Sequence, residues 1–244
     1  MLFAKKARVR KTWAYLLVVA IMRPLMMIFT RRDWRGGEHL NIDGGIIVVS
    51  NHLSNFDPLT LAHFLHDNGR PPRFLAKRAI FKVPVIGWLV RTAGQIPVDR
   101  GTSKAASALN EAEQALADGE AAVIYPEGTL TYDPNLWPMT GATGAARLAM
   151  STGAPVIPVA QWGAQNVIPR WSKGLNLIPP RKIHMLAGPP VNLDEFKGRE
   201  TDTTMLNEVT NRIMDAITEL LEEIRGEKAP AERWDRRNVR EEDN

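Results

Sequence analysis

The stretch that most constrains this chain is Ser50-Asn51-His52-Leu53-Ser54-Asn55-Phe56-Asp57-Pro58, which follows the apolar run Ile46-Ile47-Val48-Val49. The run reads as a buried strand. A histidine then precedes an aspartate by five positions. In one continuous helix such side chains diverge, because only residues three or four apart meet. In one strand an odd offset sends them to opposite sides of the sheet. They meet only if the chain turns between them. Ser54 and Asn55 are turn formers, and Asp57-Pro58 matches a helix N-cap followed by proline at the first helical position. The reading is strand, tight turn and helix start, with His52 and Asp57 facing each other.

The same alternation continues along the 244 residues, enough chain for a substantial core. Apolar runs predict strands near 74–76, 95–98, 121–125, 156–159 and 183–186. Helical patterns cover 58–66, 84–92, 103–117, 143–151 and 203–225, the third capped by Thr102 or Ser103. Pro158 inside a strand predicts an edge or a bulge, 36–41 reads as a polar connection, and 163–180 as irregular. Strands alternating with helices predict an α/β domain with a largely parallel sheet. Sites in such sheets gather beyond the carboxyl ends of the strands. Four strands here end in polar clusters: His52 to Asp57, Lys77-Arg78, Asp99-Arg100 and Glu127-Gly128-Thr129.

Charge is uneven. Residues 1–35 carry a net +8, against −4 for the remainder. Within them lie two apolar pieces, 13–22 and 25–29, divided by Arg23-Pro24. Each is shorter than the roughly 20 residues of a spanning helix. The pattern predicts two short helices lying in a membrane interface, with Trp13, Trp34 and the arginines at the level of anionic headgroups. No small-residue cleavage site follows, which disfavours a signal peptide. Packing of both pieces on the core is the plainer alternative. The organisation expected is interfacial helices over 1–34, a globular domain over 35–226 and a charged, disordered tail over 227–244.

The absence of cysteine removes disulfides, thiolate nucleophiles and cysteine-ligated metals. His39, His63 and His66 show no metal-ligand spacing, and neither a phosphate-binding glycine loop nor a Gly-x-Ser-x-Gly elbow is present. A carboxylate on one imidazole nitrogen leaves the other as a proton acceptor, which makes His52 with Asp57 a candidate general base. A histidine closing a strand and an aspartate opening a helix are also ordinary caps, and the pair taken alone favours that reading. Lys77 and Arg100, just past strand ends, suit an anionic group, or else serve as surface charges.

Taken together, the clusters resemble a known family, the glycerolipid acyltransferases typified by 1-acyl-sn-glycerol-3-phosphate (lysophosphatidate) acyltransferase. Asn51-His52 through Asp57 is similar to the NHxxxxD motif of that family. Gly94 to Arg100 resembles the second motif, Tyr125-Pro126-Glu127-Gly128-Thr129 the third, and Val156 to Ala160 the apolar fourth. The resemblance covers about residues 35 to 195. Two positions depart from it: Leu130 stands where arginine is frequent, and Thr140-Gly141-Ala142 where a basic residue is common.

The resemblance implies a glycerolphosphate-acyltransferase-like fold, a mixed and largely parallel sheet flanked by helices. It implies transfer of an acyl group from acyl-CoA or acyl carrier protein, as co-substrate, to a lysophospholipid hydroxyl, with no resident cofactor and no metal. His52 would take the hydroxyl proton and Asp57 would orient it. Arg100, with Lys77, would hold the acceptor phosphate, and Glu127, Gly128 and Thr129 would shape that pocket. Backbone N–H groups of the turn or of Gly128 would stabilise the oxyanion. The expected setting is the cytoplasmic face of the cell membrane, peripheral or monotopic. A thioesterase or lipid hydrolase, and a membrane-binding protein without turnover, remain open at this point.

Overall fold

The computed structural model describes residues 13–99, 105–172 and 174–236. Arg100, the expected caps Thr102 and Ser103, and the basic residues before Trp13 lie outside the described residues.

A seven-stranded sheet organises the molecule. Its strands are β1 (Thr30–Arg35), β2 (Ile46–Ser50), β3 (Pro72–Lys77), β4 (Ile96–Val98), β5 (Ala121–Ile124), β6 (Val156–Trp162) and β7 (Arg181–Ala187). They lie side by side in the order β1-β7-β6-β2-β5-β3-β4. Every pairing is parallel except β6 with β7, so the sheet is mixed and largely parallel. The helices are α1 (Trp13–Phe29), α2 (Asp57–Asp67), α3 (Ile86–Thr92), α4 (Ala105–Ala117), α5 (Gly144–Thr152) and α6 (Thr203–Arg225).

Strand β2 shows why both faces are covered. Side chains alternate along a strand, so Ile46 and Val48 join the core layer that includes Leu61, Phe64 and Leu65 of α2. Ile47 and Val49 join the layer built by α4, α5 and α6. All four are fully buried. Helix α6 contributes Met205, Leu206, Val209, Ile213 and Ile217 to that second layer. Asp202 caps it by accepting from the Met205 N–H at 2.7 Å, and Gly226 ends it with φ 67°.

Several sequence expectations are corrected. The amino-terminal segment is one helix that continues through Pro24, not two. Proline removes a single intrahelical hydrogen bond, and α1 is held along its length by α2. Tyr15 Oη lies 2.7 Å from His66 Nδ1, and Arg23 Nε donates to Asp67 Oδ1 at 3.0 Å. No described helix is long and apolar enough to cross a membrane.

Trp34 and two of the arginines expected at headgroup level belong to the protein instead. Residues 30–35 form strand β1, paired with β7 from Thr30↔Arg181 to Arg35↔Leu186. The Trp34 ring packs edge-on against His63 and Phe64. Arg32 pairs with Asp67 at 3.1 Å and Arg35 with Glu223 at 2.5 Å. Thr-Arg-Arg-Asp-Trp-Arg has no apolar alternation to mark a strand; charged side chains of this kind are typical of a sheet edge.

Pro158 lies on an interior strand rather than an edge. The β6–β7 ladder starts at Val159↔Ala187, and Pro158 lies at its end, where its carbonyl still accepts from the Gly188 N–H at 2.9 Å. Of the charged tail, 227–236 is described and bonded to the domain, and 237–244 lies outside the described residues. Arg233 pairs with Asp215 at 2.5 Å, and the Thr140 N–H donates to the Trp234 carbonyl at 3.0 Å. Composition marked the tail as charged, and the partners of those charges lie on α6.

Candidate active site

The carboxyl ends of β2, β5, β3 and β4 are neighbours in the sheet, and they deliver His52, Tyr125, Lys77 and Asp99 to one rim. The turn after β2 brings His52 Nδ1 within 2.9 Å of Asp57 Oδ2. Asp57 is the first residue of α2, not its cap. Its carboxylate turns back, and the same Oδ2 accepts from the N–H groups of Leu53 at 2.5 Å and Ser54 at 2.7 Å. A fully buried carboxylate held by two amides and an imidazole fixes the histidine tautomer. Nδ1–H donates to Asp57, and Nε2 is left as the acceptor. The Ser54 hydroxyl accepts from the Phe56 N–H and donates to the Ile168 carbonyl at 2.6 Å, which locks the turn.

A second layer of contacts fixes the backbone of His52. Its N–H donates to Glu127 Oε1 at 2.9 Å, and its carbonyl accepts from the Thr131 N–H at 2.8 Å. The other Glu127 oxygen accepts from the Met139 N–H at 3.0 Å. Glu127 is therefore inside the protein, fully buried, while Thr129 faces the cleft. Burial, with the Asp57 charge adding to it, pushes the Glu127 carboxyl up to about 8 against the pull of its two amide donors.

The Tyr125 ring stacks on the His52 ring, with centroids 4.1 Å apart and planes 15° from parallel. Burial first, and Asp57 second, raise the Tyr125 phenol well above its ordinary value, so it stays neutral. Gly128, at φ 77°, holds a left-handed turn that glycine adopts without strain.

Asn51 had no derivable role in the sequence, and the structure supplies one. The ladder between β2 and β6 ends at Ser50↔Val159. Asn51 prolongs it with its side chain: Nδ2 donates to the Gln161 carbonyl at 3.0 Å, and Oδ1 accepts from the Gln161 N–H at 2.9 Å. Gln161 Nε2 returns a bond to the Asn51 carbonyl at 2.8 Å. The residue before the histidine is thus bolted to the neighbouring strand. No local signal reveals this, because the partners are far apart in sequence.

Beside His52 opens a cleft of about 340 Å3, walled by Phe74, Ile80 and Trp171 among others, with Lys77 as the described cation on its lining. Arg78 is spent on Asp99 at 2.6 Å. Arg170 donates to the carbonyls of Thr131 and Asp133, both at 2.7 Å. Three of the N–H groups near the turn are committed elsewhere: those of Leu53 and Ser54 to Asp57, and that of Gly128 to the Tyr125 carbonyl at 3.0 Å.

Comparison with known proteins agrees with this geometry. The chain is similar to the crystal structure of the 1-acyl-sn-glycerophosphate acyltransferase PlsC from Thermotoga maritima, with a TM-score of 0.67 and 24% identity over 88% of this chain and 81% of that one. At that identity the likeness speaks for the fold. The chloroplastic 1-acyl-sn-glycerol-3-phosphate acyltransferase BAT2 of Brassica napus is 32% identical over 60% of this chain, which spans only 42% of that relative's length. An uncharacterized protein of Mycobacterium tuberculosis is 27% identical over 83% of this chain and 65% of its own. The family model described as Acyltransferase matches residues 18–162, more than half of the chain and all of the rim around His52, and the chain belongs to that acyltransferase family.

Proposed function

We propose that the chain moves a fatty acyl group from a thioester, acyl-CoA or acyl carrier protein, to the free hydroxyl of a lysophospholipid. The proposed acceptor is 1-acyl-sn-glycerol-3-phosphate and the product phosphatidate. The observation that carries this reading is the 2.9 Å contact between His52 Nδ1 and a buried Asp57, at the mouth of a largely apolar cleft that also holds Lys77. A base with one nitrogen free, an apolar wall for a chain and a cation for a head group are what such a substrate pair requires. The acceptor is the one printed in the names of the chloroplastic relative and the Thermotoga structure.

In the proposed step, His52 Nε2 accepts the hydroxyl proton as the oxygen attacks the thioester carbonyl. The carbon–oxygen bond forms, the carbon–sulfur bond breaks, and the imidazolium returns its proton to the leaving thiolate. Asp57 stabilises the imidazolium and holds the ring in place. The balance closes without a resident cofactor. Lys77, with Arg100, serves the acceptor phosphate.

The reaction is proposed to run at the cytoplasmic surface of a membrane. Exposed apolar side chains of α1, among them Trp13, Leu16, Leu17 and Ile21, lie next to exposed Ile86 and Trp88 of α3. The Trp13 and Trp88 rings are 6.0 Å apart. An apolar surface of this kind fits a lipid interface.

The test is product mass spectrometry with labelled acyl thioester and a panel of lysolipids, for the natural chain and His52→Ala. Transfer by the variant is expected to fall about a hundredfold or more with the fold intact by circular dichroism. Equal transfer by the two proteins sinks the mechanism. Free fatty acid released regardless of acceptor identifies a hydrolase instead.

A further inference from the structure

The turn at Glu127-Gly128-Thr129 bonds directly to His52 through Glu127, yet positions 130 and 140–142 beside it carry no cation. Position 130 is a buried leucine, and 140–142 is Thr-Gly-Ala. Among the described residues, a cation reaches this turn from the far end of the chain. The Arg236 N–H donates to Thr140 Oγ1 at 3.0 Å, the Thr140 N–H donates to the Trp234 carbonyl at 3.0 Å, and Arg233 is pinned to Asp215 on α6. The strap so formed lays the Arg236 guanidinium against Gly128. Among the described residues, a Cβ built on Gly128 would meet Arg236 Nη2 at 3.8 Å and no other atom within 4 Å.

Nothing among the described residues neutralises this guanidinium. It forms no ion pair and no side-chain hydrogen bond with any of them, whereas Arg225, Arg233 and Lys228 on the same tail and the end of α6 are paired with Glu227, Asp215 and Glu222. An unpaired guanidinium fork, held by its own backbone and facing a turn with no side chain, is arranged for a phosphate rather than for the fold.

We infer that Arg236, carried on the carboxyl-terminal strap, is a ligand for the phosphate monoester of the acceptor. The inference rests on the proposed acyl transfer for the identity of that acceptor. Arg236 is a binding residue here, and the strap makes its position depend on Thr140. Leu130 and the uncharged 140–142 then have a compensating cation in space where none stands in sequence.

Two measurements on the full chain in detergent test this. In the first, Arg236 is labelled with phenylglyoxal and followed by peptide mass spectrometry. Lysophosphatidate is expected to slow labelling several-fold, and monoacylglycerol, which lacks the phosphate, to leave it unchanged. Equal labelling with and without lysophosphatidate overturns the inference. Protection by inorganic phosphate at the concentration at which lysophosphatidate protects would make this a site for free phosphate and overturns the acceptor role.

In the second, Arg236→Ala is expected to raise KM for lysophosphatidate about tenfold or more relative to that for the thioester, with Arg236→Lys recovering part of the loss. An equal change in both KM values, or none, overturns it. If the natural chain transfers nothing to lysophosphatidate while that lipid still protects Arg236, the proposed reaction falls and the anion site stands.

Discussion

At the scale of the residue, Glu127 shows how burial converts a motif glutamate from a substrate contact into a clamp. Its two oxygens hold the His52 and Met139 N–H groups in a fully buried setting. Replacing it with glutamine turns an NH2 group toward one of those donors. Glu127→Gln is therefore expected to cost about 1–3 kcal/mol, read as a lower urea midpoint, and to lower acyl transfer by loosening His52. The pH dependence has a definite sign. With the folded carboxyl raised to about 8 from an ordinary 4.5, the folded chain keeps a proton that the unfolded chain has released between those values. This contribution to stability is full below pH 4.5 and is lost as pH rises through about 8. Urea midpoints between pH 5 and 8 should fall less for Glu127→Gln than for the natural chain; identical slopes would refute the assignment. The His52–Asp57 turn was legible from spacing and turn chemistry alone. Glu127 was legible as a site residue, but its inward direction was not, because direction depends on what surrounds the turn.

At the scale of the element, α6 and β1 mark the two extremes. The apolar face of α6 repeats at helical spacing, and the helix forms over Thr203–Arg225 as that pattern predicts. Ile213, fully buried at its centre, packs in the layer shared with α4 and α5. Ile213→Ala is expected to destabilise the fold by about 2–5 kcal/mol, measured by urea unfolding; a loss below 1 kcal/mol would mean that this layer carries little of the stability. Strand β1 gave no periodic signal at all, since its place is set by pairing with β7, 151 positions away in sequence. Helix α1 crosses Pro24 unbroken because contacts from Tyr15 and Arg23 to α2 outweigh one missing hydrogen bond.

At the scale of the whole molecule, the apolar surface of α1 and α3 stands on the same protein as the cleft beside His52. Leu17 and Ile21, one helical turn apart and exposed, belong to that surface. If α1 carries the proposed membrane contact, glutamate at both positions removes two apolar side chains from lipid, each worth up to about 1.5–3 kcal/mol, and adds repulsion from anionic headgroups. Co-sedimentation with anionic vesicles should drop more than tenfold for the double variant Leu17→Glu, Ile21→Glu, while transfer to detergent-dispersed lysolipid persists. Unchanged sedimentation would remove α1 from the membrane contact.

The features legible in the sequence are short in range. Periodicity marked the buried strands and α6, and the five-residue spacing with its turn formers marked the His52–Asp57 pair. The clusters at successive strand ends marked the rim. Each rests on residues within a turn or two of one another, where backbone geometry leaves few choices. The fold sets the rest: the bolt from Asn51 to Gln161, 110 positions apart, the inward turn of Glu127, and the strap that brings Arg236 to Thr140 across 96. Those contacts join segments that only a folded sheet brings together. Their residues are ordinary polar side chains until burial makes an unpaired group costly and fixes which partner each must take.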